Sequence, residues 1–358
     1  MRSHDIVGRS LKIAIDAMGG DFAPQATVEG AVRAARITSA DIVLVGVESV
    51  LRDELVRVEG GVPPNVTVRH ASQIIDCNEP PTLALRRKKD SSLVVACRLV
   101  RDGEADAVVT AGSTGAALVG SKVILRTLPG VNRPAIAAFL PNPKGVTVLL
   151  DVGANVDCRP SHLYQFGVMG RIFAQHVLGV PNPSVGLLNI GEEAAKGNEL
   201  TRAAHALFEE HADQLHFIGN SEGNELYTGR VDVVVCDGFV GNVILKVCEG
   251  LAGSISNMLR HEMTRGLISK LGVLLSKRGI MRFRNKVDYE EYGGAPLLGV
   301  QGTVTICHGR SSAKAIANAV TEAERAVARG INGHIVAALA NSTVQEDSVD
   351  ADRAGTDE

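Results

Sequence analysis

The chain has 358 residues and a formal net charge of −3, with 45% apolar residues, 3% aromatic residues and no tryptophan. Length and apolar content fit a folded α/β body with a core of Ala, Val, Leu and Ile. The weak net charge excludes a global basic field for nucleic acid, and the scarcity of aromatics excludes a base-stacking platform. The six cysteines form no CxxC pair and the ten histidines no HExxH pattern. Reduced, buried thiols in a cytosolic protein are therefore expected, with no metal and no cofactor. The short polar N-terminus lacks a signal-like apolar core, and no run of about 18 apolar residues marks a membrane span.

In chain order, the run LKIAIDA (11–17) predicts a buried strand. It enters a glycine loop, MGGD, and then a helix over 28–35, with Asp16 and Gly20 at the strand end. GGD is neither a dinucleotide fingerprint nor a P-loop, so it reads as a ligand-approaching loop or as a tight turn. Strands are expected over 41–46 and 66–70, with a helix over 50–58. The cations Arg86, Arg87, Lys88 and Lys89 follow, which read either as a solvated face or as a surface for an acidic partner. The strand 107–111 runs into Gly112, Ser113, Thr114 and Gly115. This helix mouth suits an N-cap and an oxyanion or phosphate nest, with Ser113 as a hydrogen-bond donor rather than a nucleophile.

Strands over 135–140 and 146–150, joined by a five-residue connection, predict an antiparallel pair and hence a mixed sheet. Asp151, Asn155 and Asp157 follow in a polar loop before a helix over 160–177. The segment GLLNIGEEAAKGNEL (186–200) is a strand end, a loop with one lysine, and a helix start. Glycine, the positive helix mouth and Lys196 make it an anion site or, equally, a solvated loop. Strands over 217–220 and 231–236 come next, the second ending in DGFVGN before a helix over 243–251. Asn242 offers an amide donor at that helix mouth. Such strand–loop–helix turns share one crevice in open α/β sheets.

From 251 to 287 the alternation stops. Apolar residues recur at helical spacing from Ile255 to Leu275, and Arg260 to Lys286 carries eight Lys/Arg against one Glu. This reads as a protruding basic amphipathic helical hairpin facing a partner subunit, anionic lipid or an acidic protein, or as a plain core-facing hairpin. A loop over 288–299, a strand over 304–307, His308 as a capping or structural residue in preference to a general acid or base, and a helix to 327 complete the body. A polar acidic tail, 341–358, is expected to be disordered. The domain expectation is a single α/β catalytic unit over 11–340.

Taken together, IAIDAMGGDFAP, RRKKDSS, TAGSTGA, LLDVGANVD, LLNIGEEAAKGNEL, CDGFVGNVILK, YGGAPLLGV and HGRS resemble the bacterial phosphate acyltransferases of phospholipid synthesis, from about Lys12 to Leu339. That resemblance implies a three-layer αβα fold with a mostly parallel mixed sheet, like the isocitrate and isopropylmalate dehydrogenases but without nicotinamide. It implies transfer of a long-chain acyl group from acyl carrier protein to inorganic phosphate, giving acyl phosphate for a membrane glycerol-3-phosphate acyltransferase. It also implies a cytoplasmic homodimer in peripheral membrane contact, and points to Lys196 and Asn242 as catalytic. Asp16, Gly20, Ser113 and Asn155 are the substrate-binding candidates. The family often has AGNTGA where this chain has Ser113, a shorter donor. The other readings are a phosphotransacetylase-like enzyme using acyl-CoA, and a non-catalytic scaffold for carrier protein or membrane.

Overall fold

A computed structural model describes residues 9–287 and 289–340. The expected tail lies outside them, as do the side chains of Leu267, Lys270, Leu271, Arg284 and Lys286. The strands are β1 (Lys12–Asp16), β2 (Asp41–Gly46), β3 (Val66–His70), β4 (Ala107–Thr110), β5 (Ala135–Asn142), β6 (Gly145–Leu150), β7 (Val185–Asn189), β8 (Phe217–Glu222), β9 (Val233–Val235), β10 (Ala295–Leu298) and β11 (Thr303–Ile306). The helices are α1 (Gln25–Ala35), α2 (Glu48–Arg57), α3 (Pro81–Arg87), α4 (Ser92–Arg101), α5 (Thr114–Ile124), α6 (Pro160–His176), α7 (Glu199–Glu210), α8 (Ala212–Leu215), α9 (Gly238–Thr264), α10 (Leu267–Val287), α11 (Ala313–Ala328) and α12 (Ile331–Ala340).

The eleven strands of the described residues form one sheet, ordered β3-β2-β1-β4-β11-β10-β5-β6-β9-β7-β8. Apart from the edge strands β3 and β8, its strands are largely buried on both faces, which is why they read as near-continuous apolar runs. In β1, Ile13 and Ile15 join the core under α1 and α11, while Ala14 joins the core with α4 and α5. A third cluster packs α6, α7 and α12 on β6, β7 and β9. The result is the expected three-layer αβα arrangement around a mixed, mostly parallel sheet.

Neighbouring strands are parallel except at β11–β10, β10–β5 and β5–β6. Three inversions are an odd number, so β6, β9, β7 and β8 run opposite to β1 to β4 and β11. The register then brings the two groups together. Asp16 pairs with Thr110, Thr110 with Ile306, and Ile306 with Ala295. The β10–β5 register, continued by two residues, sets Ala295 opposite Ala138. From there the row passes through Leu149 and Val234 to Gly186. The carboxyl ends of β1, β4 and β11 therefore reach this row from one side and those of β6, β9 and β7 from the other. Two ligand-binding edges of the usual kind face one crevice.

Two differences from the sequence reading bear on the site. The expected loop 288–299 contains β10, whose four residues supply one of the inversions. The helix expected over 243–251 and the first arm of the excursion are one 27-residue helix, α9, starting at Gly238. It packs on α10 and the end of β6, and exposes Val243, Val247, Leu251, Ile255 and Met258. By length and composition α9 is apolar enough to cross a membrane. Asn242, Lys246 and Glu249 interrupt it, and its first turn is built into the crevice.

Candidate active site

On the β1–β4–β11 side, glycines let three loops close on one carboxylate. Asp16 is buried, and Thr110 Oγ1 donates to its Oδ2 at 2.8 Å. Gly112 N–H donates to Thr110 Oγ1 at 3.1 Å. A Cβ at Gly19 would lie 2.6 Å from Asp16 Oδ2 and 2.8 Å from Gly112 N, so no side chain fits there. Gly20 has a φ of +111° and rests on Ala111, and Asp21 N–H donates to Gly309 O at 2.7 Å. Burial pushes the Asp16 carboxyl up from its ordinary value of 3.8, against the hydrogen bonds that lower it. Among the described residues its Oδ1 has no hydrogen-bond partner. Ser113 caps α5, accepting from Ala116 N–H at 3.4 Å. Asp16 and Ser113 share a narrow crevice with Ser92 and Gly112.

On the β6–β9–β7 side the focus is Asp151, fully buried directly after β6. Its carboxylate accepts from the backbone N–H of Ile136, Gly153, Ala154 and Asn155 and from Asn155 Nδ2, at 2.7–3.3 Å. Asn155 Nδ2 also donates to Pro134 O at 2.7 Å. Asn155 thus braces the loop that the Asp151 carboxylate organises. The motif DGFVGN docks on this loop. Asp237 caps α9 through Phe239 N–H and Val240 N–H, both at 3.0 Å, and Gly238 N–H donates to Asn155 O at 2.7 Å. The fit puts Asn242 beside Gly153.

Lys196 follows β7, two strand spacings, about 10 Å, from β6. Its loop is held from below. Asn189 Nδ2 donates to Lys196 O at 3.1 Å, and Asn220 Nδ2 donates to Glu193 O at 3.0 Å. Asn220 Oδ1 lies 3.1 Å from Nδ1 of the buried His205. Gly197, at φ +96°, presses on Asn189.

Between the two sides lies a cavity of about 460 Å³. Ile136, Ala138, Val152, Ala295 and Ile306 give it an apolar floor. One face of α9, carrying Asn242, Leu245, Lys246 and Glu249, forms a wall, and Thr114, His308 and Ser311 add polar groups. Of the six expected site residues, Asn242 lines this cavity. Asp16 and Ser113 line the crevice on the first side, Gly20 and Asn155 shape loops, and Lys196 stands on the third loop, outside the lining.

Lys246 is a lining residue that sequence reasoning passed over, and His308 is one that it read as capping or structural. Lys246 was legible, since it lies one turn after Asn242 in the NVILK helix. His308 accepts from Arg310 N–H at Nδ1, 3.1 Å away, so it does cap its turn as expected, and it also lines the cavity. Cys307 also lines the cavity, but burial pushes its thiol up to about 12, which removes it as a thiolate nucleophile.

The chain matches the family described as "Fatty acid synthesis protein" over residues 11–334. It is 52% identical over 317 residues to a phosphate acyltransferase of Pelotomaculum thermopropionicum, covering 88% of this chain and 92% of that one. It is 51% identical to a phosphate acyltransferase of Nitratidesulfovibrio vulgaris, covering 91% and 94%. In fold it is similar to a phosphotransacetylase from Streptococcus pyogenes, with a TM-score of 0.63 at 17% identity, covering 90% of this chain and 95% of that one.

Proposed function

This chain belongs to the phosphate acyltransferase family and is an acyltransferase; from that premise we propose that it moves a long-chain acyl group from the thioester of acyl carrier protein to inorganic phosphate. One observation in the site carries the reading: a single cavity pairs an apolar floor with amide, imidazole and hydroxyl donors. A phosphate oxygen attacks the thioester carbonyl, the C–S bond breaks, and the hydrogen phosphate proton leaves with the thiolate as free carrier thiol. The other product is acyl phosphate. Phosphate is the nucleophile, so no covalent enzyme intermediate is required, and catalysis rests on positioning and oxyanion stabilisation.

In this scheme Asn242 Nδ2 meets the carbonyl oxygen as it becomes an oxyanion, and Lys196 supplies positive charge from the neighbouring loop. Asp16, Gly20, Ser113 and Asn155 shape the substrate crevice. Carrier proteins of this kind are acidic. Exposed cations at Arg86, Arg87 and Lys89, or at Arg260, Lys277 and Arg278, offer the complementary field, while Lys88 is already paired with Glu79. The exposed apolar stripes of α9 and α10 serve a homodimer contact and a peripheral membrane contact in the cytoplasm, from which acyl phosphate passes to a membrane acyltransferase.

The test is phosphate-dependent release of carrier thiol from palmitoyl-acyl carrier protein, run beside palmitoyl-CoA. Turnover that requires phosphate and the carrier protein supports the proposal. Turnover with palmitoyl-CoA alone moves the enzyme to the phosphotransacetylase reading. No phosphate-dependent release with either donor overturns phosphate acyl transfer.

A further inference from the structure

We infer that Lys246 is the cation that holds inorganic phosphate in the cavity, with Glu249 as the anion that competes for it. The inference rests on the phosphate acyl transfer reading above. Among the described residues lining the cavity, Lys246 is the single Lys or Arg, facing two carboxylates, Glu249 and Glu290. A phosphate dianion brought beside two carboxylates with no cation would be repelled. The other cations nearby stand outside the lining. Arg310 lies 3.7 Å from Asp21, Lys314 is 2.7 Å from Glu291, and Lys196 stands on its own loop.

Helical spacing sets the geometry. Asn242, Leu245, Lys246 and Glu249 are offset by three, four and seven residues, so they share one face of α9. Lys246 lies one turn beyond Asn242, about 6 Å along the axis. That is close enough for one group to hold phosphate while the other meets the carbonyl that phosphate attacks. Lys246 Nζ is 2.9 Å from Glu249 Oε2, with the two side chains 55% and 34% exposed. An exposed pair of this kind is weak and readily exchanged. A phosphate oxyanion offers Lys246 a stronger partner, because charge-assisted bonds to a dianion exceed those to one carboxylate oxygen. Glu249 thereby sets how much phosphate is needed before the cation changes partner.

Two substitutions separate this role from a structural ion pair, because they break the same contact and act with opposite sign on phosphate. Lys246→Met should raise the phosphate KM by about tenfold or more, and Lys246→Arg should restore most of it. Glu249→Gln frees the cation and should lower the phosphate KM by roughly threefold. The KM for acyl carrier protein should stay within about twofold of wild type in all three. A rise in phosphate KM in both Lys246→Met and Glu249→Gln, or no change in either, overturns the inference. A change confined to the carrier-protein KM also overturns it, by assigning Lys246 to the acyl donor. Stabilisation by inorganic phosphate alone, read as a shift in melting temperature, should vanish in Lys246→Met; its persistence there would sink the idea. Failure of phosphate acyl transfer itself shows differently, as wild-type enzyme without phosphate-dependent turnover.

Discussion

Gly241 lies directly on Asp151: a Cβ at 241 would be 1.9 Å from the Asp151 carbonyl oxygen. This contact joins the loop after β6 to the first turn of α9 and sets where Asn242 points. Gly241→Ala must push the two apart. We expect a loss of about 1–3 kcal/mol in stability, with turnover falling further than stability explains. Gly250, in the same helix, has open space around it. Gly250→Ala should be neutral or stabilise by about 0.5–1 kcal/mol. Thermal melts with activity on both variants check this, and equal behaviour of the two would refute the role given to Gly241.

Asp16 gives a pH signature. Its folded pKa is raised above 3.8 by burial. A raised carboxyl contributes its stability fully below the unfolded value and loses it as pH rises through the folded value. Asp16→Asn removes that penalty. The variant should melt above wild type near neutral pH, and the difference should shrink toward pH 4. Melting curves from pH 4 to 8 decide it; a difference independent of pH would show that Asp16 is not carrying a costly buried charge. Turnover should fall at the same time, as expected for a group in the crevice.

Asn242→Ala removes the donor proposed for the oxyanion, and turnover should drop by about 10²–10³ with little effect on the carrier-protein KM. Lys196→Ala should also collapse phosphate-dependent thiol release. Retained turnover in Lys196→Ala would leave the family assignment standing and leave Lys246 as the cation that serves phosphate without help from the Lys196 loop.

The Lys196 loop depends on residues far from it in sequence. Asn220 links His205 on α7 to the Glu193 carbonyl. Asn220→Leu should loosen the loop, lowering kcat/KM for phosphate by about tenfold while the melt shifts by only a few degrees. Unchanged kinetics alongside a lower melting temperature would make Asn220 structural alone.

Charge reversal at Lys277 and Arg278, both exposed on α10, should raise the carrier-protein KM or weaken sedimentation with anionic vesicles, and salt should mimic it. If neither measurement responds, the basic face of α10 has no part in docking.

Much of this was legible in the chain. Period-two and continuous apolar runs marked β1, β2, β4, β6, β7 and β9, because strands buried on both faces leave no room for polar residues. The glycine loops marked the strand ends, since only glycine accepts the close approaches at Gly19 and Gly241. The connection at 141–145 announced the β5–β6 inversion. The strand β10 was not legible: its sequence APLL, between glycine-rich stretches, carries too short a pattern to separate from a loop.

The sequence by itself determined the αβα class, the family, and the residue types at each strand end, because local burial and backbone freedom write themselves into composition and spacing. Only the tertiary structure decided which of those ends meet. The inversion through β10 turns half the sheet around, so that loops following β4 and β11 face loops following β6 and β9. Two of the three inversions join strands that are neighbours in the chain, but the pairing of β10 with β5 joins strands more than 150 residues apart, and no local pattern encodes it. It assigns the cavity to Asn242, Lys246 and His308, while Lys196 stands one loop away.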